Sequence, residues 1–174
     1  MRTAPPPSTR QFRRQLSMFV PHEFAEELES IRRIVDPVQS EIIPAHVTLC
    51  REDEISGLAI PDLQALLSDP GVKPVTLCFG QPEVFGGHGL MLNCIEGQDR
   101  FQALREHILG STFVRASMPH ITLAHPRNPK VPVNSLALES RLSATTTITF
   151  DSICLIEQEG ANPWSVLCKF QLRA

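Results

Sequence analysis

The strongest constraint in this chain is a tripeptide pattern that occurs twice. His46-Val47-Thr48 and His120-Ile121-Thr122 start 74 positions apart (120 minus 46), and moving the apolar run Leu90 to Cys94 back by 74 lands on Leu16 to Val20. Each half of the chain therefore reads as a strand, a helix, and a second strand bearing His-x-Thr. Residues two apart in a strand share a face. His46 and Thr48 thus project together with Val47 and Leu49 opposite, and His120 and Thr122 do the same against Ile121 and Leu123. One such strand is an ordinary half-buried pattern, but two at equivalent places in two half-repeats predict a paired site. The element order predicts an α+β fold of two pseudo-two-fold lobes, with a cleft between them as the natural ligand site.

The remaining elements follow from periodicity and punctuation. Phe24, Leu28, Ile31 and Val35 space a helix that runs from His22 and stops near Asp36-Pro37. Ala45 to Arg51 reads as a strand and Pro61 to Leu67 as a short helix closed by Asp69-Pro70-Gly71. Val75 to Phe79 is a strand followed by a turn rich in Gly and Pro. Leu90 to Cys94 is a strand, Phe101, Leu104 and Ile108 mark a helix, and Pro119 to Ala124 is the strand of the second motif. Beyond a proline-rich loop, Pro126 to Pro132, a short helix around Leu136 to Leu142 precedes strands at Thr145 to Phe150, Ile153 to Gln158 and Ser165 to Leu172. Residues 1–14 are expected as a flexible N-terminal tail and residues 15–174 as one bilobal domain.

With 174 residues, 42% hydrophobic and 20% charged, the chain can bury a substantial core and does not have a disordered composition. A net charge of -3 argues against a broad surface for long duplexes, whereas a small anionic ligand needs only a local basic pocket. Cys50, Cys78, Cys94, Cys154 and Cys168 form no CxxC pair and mostly sit in apolar runs, which fits buried reduced thiols rather than disulfides or a zinc site. No apolar stretch nears the ~20 residues that span a bilayer. Arg2, Arg10, Arg13 and Arg14 give the N-terminus a likeness to an organelle leader, but Gln15 to Val20 just beyond reads as a strand that the fold needs. A soluble, cytoplasmic monomer without membrane contact is the expectation.

The residue types suggest a chemistry. Cleaving a phosphodiester takes one group to accept a proton from the attacking oxygen and another to donate one to the leaving oxygen. Imidazoles with an unperturbed pKa of ~6.5 can do both near neutral pH. A pseudo-two-fold pair, His46 and His120, would stand on opposite sides of one phosphorus, with Thr48 and Thr122 donating to its non-bridging oxygens. No metal and no cofactor is required. A metal site built from His46, His120 and His125 lacks a carboxylate at a familiar spacing and ranks low. His22, His88 and His107 read as structural or solvated. Phe85, Phe113 and Trp164 fit a core or cleft-wall place as well as a base-stacking one.

Pro44-Ala45-His46-Val47-Thr48-Leu49 and Pro119-His120-Ile121-Thr122-Leu123-Ala124 closely resemble the paired motifs of the 2H phosphoesterase superfamily, also called the 2′-5′ RNA ligase-like proteins. The resemblance extends over nearly the whole chain beyond the tail, including Phe150 to Leu155 and the final strand after Trp164. It implies two antiparallel-rich sheets around a V-shaped cleft with helices outside. It also implies hydrolysis of 2′,3′-cyclic phosphates or related phosphodiester ends of RNA or small nucleotides, with 2′-5′ RNA ligase activity in some members. By the same resemblance His120 is the base that activates water and His46 the acid, giving a 2′-phosphate product. Many members carry Arg three residues after the second motif's threonine. Here His125 stands there, and Arg127 close by would supply the cation, making both candidates for substrate binding. Cys50-Arg51-Glu52-Asp53-Glu54 lacks the aromatic of the RNA-ligase members and is acidic, which places the chain nearer the shorter, divergent bacterial branch. The competing reading is a non-catalytic module that binds a nucleotide or an RNA end in the same cleft.

Overall fold

The computed structural model describes residues 11–87, 89–111, 114–128, 142 and 144–173. In chain order the described elements are β1 (Phe12–Phe19), α1 (His22–Val35), α2 (Pro37–Ile42), β2 (His46–Cys50), α3 (Glu52–Ile55), α4 (Ile60–Leu67), β3 (Val75–Phe85), β4 (Gly89–Glu96), α5 (Gln98–Leu109), β5 (His120–Ala124), β6 (Thr146–Phe150), β7 (Ser152–Glu159) and β8 (Ser165–Gln171). The strands form two four-stranded sheets, ordered β2-β1-β7-β8 and β5-β4-β3-β6. All the ladders are antiparallel.

The duplication persists at single-residue register. In the first sheet Ser17 pairs with Thr48, Met18 with Val47 and Phe19 with His46. Adding 74 to every number gives the pairs of the second sheet, Met91 with Thr122, Leu92 with Ile121 and Asn93 with His120. The irregularity between Leu16 and Ser17 recurs between Leu90 and Met91. The bond from Val20 N–H to Ala45 O recurs from Cys94 N–H to Pro119 O. A bulge re-aims the residues beside it, so repeating it at the same place presents both His-x-Thr faces alike.

Packing follows the alternation. Val47, Leu49, Ile121 and Leu123 are 0–1% exposed and join Leu16, Leu77, Phe79 and Phe101 in one core spanning both sheets. Each such side chain contributes about 1.5–3 kcal/mol relative to leaving it in water. Helix α1 buries Leu28, Ile31 and Val35 and packs against β5 as well as α2, so it bridges the two lobes. Helix α5 is bounded by Gly97 and Gly110, both left-handed. At Gly97, φ 96°, a Cβ would lie 2.3 Å from the Thr76 carbonyl oxygen, so only glycine fits.

Several sequence expectations need correction. Strand β1 begins at Phe12, so Phe12, Arg13 and Arg14 of the expected tail are laddered to Glu159, Gln158 and Glu157 of β7. Their polarity hides a strand held by pairing and by the Arg14–Glu157 ion pair rather than by apolar alternation. Strand β3 continues past Phe79 through Gly80 and Pro82, where a turn was expected. Its partner β6 pairs only with Val75 to Phe79. Beyond that point β6 does not extend along β3, and Pro82, which lacks an N–H, lies past the end of the β6 ladder. Helices α2 and α3 were not anticipated. Of the five free cysteines, Cys50, Cys94 and Cys154 are buried, while Cys78 and Cys168 are only half-buried. The expected helix around Leu136 to Leu142 falls almost wholly outside the described residues, as do His88 and Phe113. No helix among the described residues is long and apolar enough to cross a membrane.

Candidate active site

Strands β2 and β5 are the end strands of their sheets and pack against each other across the molecule. His46 and His120 each open one of them, and both strands share one burial sequence in which the His and Thr positions are half-buried and the three others buried. The structure therefore brings His46, Thr48, His120 and Thr122 into one cleft of about 700 Å³, together with His125 and Arg127. The six residues singled out from the sequence thus share one wall-to-wall site.

The histidines are held alike. His46 Nδ1–H donates to Pro44 O at 2.8 Å and His120 Nδ1–H to Met118 O at 2.9 Å, the acceptors again 74 apart. Each bond fixes the tautomer and leaves Nε2 as the nitrogen free to exchange a proton. Neither threonine hydroxyl has a partner among the described residues.

The surroundings then differ. His46 faces Phe19 across the ladder, edge to ring at 6.2 Å, whereas His120 faces Asn93, whose amide donates to Glu83 at 2.6 Å. Burial, then the charges of Arg32 and His120, pull the His46 pKa down to about 4, against the opposing pull of its bond to Pro44. Burial and Arg127 also lower His125, with Asp36 opposing.

Two buried arginines brace strand β2. Arg32 of α1 pairs with Glu29 at 2.8 Å and donates to Ile43 O at 2.8 Å, while Glu29 accepts Ala45 N–H at 2.5 Å, just before His46. Arg105 of α5 reaches over from the other lobe to Leu49 O and pairs with Glu54 at 2.5 Å. Removing one partner from such a buried pair typically costs about 3–5 kcal/mol. A third brace runs the opposite way. Asp36, 1% exposed, caps α2 through Gln39 N–H at 3.2 Å and accepts His125 N–H at 2.9 Å and the Asn128 side-chain amide at 2.6 Å. Asp36, Arg32 and Arg105 were missed from sequence. Asp36-Pro37 was read as a stop, although Asp followed by Pro is equally an N-cap with proline at the first helical position.

The profile of the 2′-5′ RNA ligase superfamily matches residues 20–162, well over half of the chain. The chain belongs to that superfamily. The superfamily's other name, the 2H phosphoesterases, describes the paired histidine motifs met in the sequence. The fold of this chain is that of TT0787 of Thermus thermophilus, which is 21% identical, with a TM-score of 0.57 over 93% of this chain and 98% of that one. E. coli LigT complexed with NADP+ superposes with a TM-score of 0.57 at 15% identity, over 95% of this chain and 100% of LigT. LigT complexed with 3′-AMP gives 0.57 at 13% identity with the same coverage. No curated protein sequence matches the chain. Among the described residues no group of three or more His, Cys, Asp or Glu is arranged to hold a metal ion.

Proposed function

We propose that the superfamily activity of this chain is metal-independent hydrolysis of 2′,3′-cyclic phosphate, or of related phosphodiester ends of RNA or small nucleotides. The observation that carries the reading is the duplicated half-site, two imidazoles and two hydroxyls presented alike to one cleft. A tetrahedral phosphorus attacked on one side and left on the other needs proton exchange at both ends of a line, which a pseudo-two-fold pair provides. His120 Nε2 takes a proton from water as its oxygen bonds to phosphorus. His46 Nε2–H gives a proton to the ribose oxygen as the phosphorus–oxygen bond breaks. Thr48 and Thr122 donate to the non-bridging oxygens, and Arg127 adds a cationic contact with the His125 imidazole beside it.

The depressed pKa of His46 bears on this order. With a pKa of about 4 His46 is neutral near pH 7, so to serve as the acid it must gain a proton when the phosphodiester binds. An anion between the imidazoles favours that gain by offsetting Arg32. LigT has been crystallised with ATP, with NADP+ and with 3′-AMP, which supports the second reading, a nucleotide-binding module without turnover. The two part on one experiment. Purified protein is given 2′,3′-cyclic nucleotides, 2′-5′-linked dinucleotides and cyclic-phosphate-ended oligonucleotides, with and without EDTA. Turnover that survives EDTA is expected. Binding without turnover across the panel selects the second reading, and activity lost to EDTA and restored by zinc overturns the metal-free one.

A further inference from the structure

His46, His120 and His125 all line the cleft, but the backbone holds them in two different tautomers. His46 and His120 turn Nδ1 to a carbonyl oxygen, so Nδ1 carries the hydrogen and Nε2 the lone pair. His125 is held the opposite way. The backbone N–H of Arg127 donates to its Nδ1 at 3.1 Å, and since a backbone N–H can only donate, Nδ1 is the acceptor and the hydrogen sits on Nε2. The turn that makes this bond is itself pinned. Asn128 N–H donates to His125 O at 3.0 Å, while Asp36 accepts the His125 N–H at 2.9 Å and the Asn128 side-chain amide at 2.6 Å. Pro126 takes the second position of the turn, where its locked φ suits it. It rests on Gly86 and Gly89, where an added Cβ would come within 2.8 and 3.0 Å of its ring. The ring of His125 is also kept neutral. Protonation would set a second donor at Nδ1 against the Arg127 N–H, and burial and the Arg127 charge lower its pKa, with Asp36 opposing.

We propose that His125 is a specificity residue that holds the phosphate through an uncharged Nε2–H, so that the cleft releases the hydrolysed product instead of retaining it. The proposal rests on the phosphodiester reading above. Hydrolysis bonds a water oxygen to phosphorus, breaks one bond from phosphorus to a ribose oxygen, and leaves a proton on that oxygen. The cyclic diester enters with one negative charge, whereas the monoester has a second ionisable oxygen and carries about −1.5 to −2 near pH 7. A cation touching the phosphate therefore holds product more tightly than substrate, by the attraction of the added charge. A neutral N–H discriminates far less. The other cations of the cleft are muted in their own ways: Arg32 is paired with Glu29, and Arg13 and Arg127 are exposed, where water and salt screen them. Because the turn fixes the ring before a ligand arrives, His125 orients the phosphate with little ordering on binding.

The test uses two ligands that lack the 2′-hydroxyl, 2′-deoxyadenosine 3′-monophosphate and its methyl diester, which differ by the second charge at pH ~7.5, above the monoester's second pKa of ~6. The native protein should bind the two within about fivefold, the weak preference that exposed cations contribute. In His125→Arg the monoester should gain a further ~10-fold over the diester, the difference between a neutral and a charge-assisted hydrogen bond. His125→Gln offers a neutral N–H and should keep the native ratio. A native protein that already prefers the monoester by more than ~10-fold, or an unchanged ratio in His125→Arg, would overturn the proposal. A second readout needs no variant. Nitrogen-15 spectra of the native imidazoles at pH ~7.5 should show His125 as the Nε2–H tautomer and His46 and His120 as Nδ1–H. An Nδ1–H or doubly protonated His125 would sink the idea. In turnover of adenosine 2′,3′-cyclic phosphate, added adenosine 2′-monophosphate should inhibit His125→Arg about tenfold more strongly than the native protein. If the cyclic phosphate is not turned over at all, the catalytic reading fails, and the binding ratio and the spectra still decide the role of His125.

Discussion

The carboxylate of Asp36, at the start of α2 in one lobe, accepts the backbone N–H of His125, just past β5 in the other, at 2.9 Å. A buried group thereby ties the loop bearing His125 and Arg127 to the helix pair behind His46. Arg105 makes the complementary tie, from α5 to the strand of the first motif. With one strut in each direction, the two half-sites are held at a fixed separation, which acid and base on opposite sides of one phosphorus require.

Asp36→Ala should therefore affect stability and binding together. It removes an N-cap, worth about 0.5–2 kcal/mol, and leaves a buried N–H without its partner, a further ~1–3 kcal/mol. Chemical denaturation should show a loss of about 2–4 kcal/mol. In the milder Asp36→Asn, KM should rise more than kcat falls, because the loop carrying Arg127 loses its anchor. A well-folded Asp36→Asn protein with native KM would show that the brace has no bearing on substrate.

The threonines make a separate claim. If each hydroxyl stabilises charge building on the phosphate, Thr48→Ala or Thr122→Ala should slow turnover by about 10²-fold, ~3 kcal/mol of transition-state stabilisation, with little change in folding. Thr→Ser retains the hydroxyl and should restore most of the rate. Native rates in both alanine variants would place the hydroxyls outside the reaction.

The site was legible in the sequence because its information is local. Two strands with one repeated tripeptide give the face, the spacing and the duplication, and antiparallel pairing then preserves the register. What was not legible is long-range or masked by polarity. Asp36 meets His125 across 89 residues, and nothing near Asp36-Pro37 announces that partner. Arg13 and Arg14 look like tail until β7 supplies Gln158 and Glu157 opposite them. Pro82 looks like a turn until β4 pairs it with Leu92, past the point where the β6 ladder ends. Trp164 was noticed as a stacking or cleft-wall residue, but only the β7–β8 hairpin reveals that it stands with Arg13 at one mouth of the cleft.

The electrostatics of His46 has a measurable sign. Its folded pKa, about 4, lies below the ordinary ~6.5, so between those values the unfolded chain binds more protons than the folded one. Stability contributed by this group is present above pH ~6.5 and is lost as pH falls toward 4. His46→Gln should flatten that part of the stability curve in denaturation series across the window. Binding of adenosine 3′-monophosphate at pH 6–7 should take up a proton, seen as a buffer-dependent enthalpy by calorimetry, and the uptake should vanish in His46→Gln. A buffer-independent enthalpy in the native protein would mean that the anion does not protonate His46.

Which imidazole is the acid is decided by the leaving group. When the leaving group is an alkoxide both the base and the acid are needed, so the rate on a 2′,3′-cyclic nucleotide should follow a bell-shaped pH profile belonging to the pair, and either His→Ala variant should be nearly inactive. A p-nitrophenyl phosphodiester leaves without protonation. On that substrate the acid becomes dispensable while the base does not. With His46 as acid, His46→Ala should keep turnover within about tenfold of native, and His120→Ala should stay down by the ~10²–10⁴-fold typical of a lost general base. The lowered pKa of His46 makes the reverse order a concrete rival, since a neutral imidazole is already fit to accept a proton. Rescue of His120→Ala instead would assign His46 as the base, and equal loss in both variants would show that the two histidines do not divide the proton transfers this way.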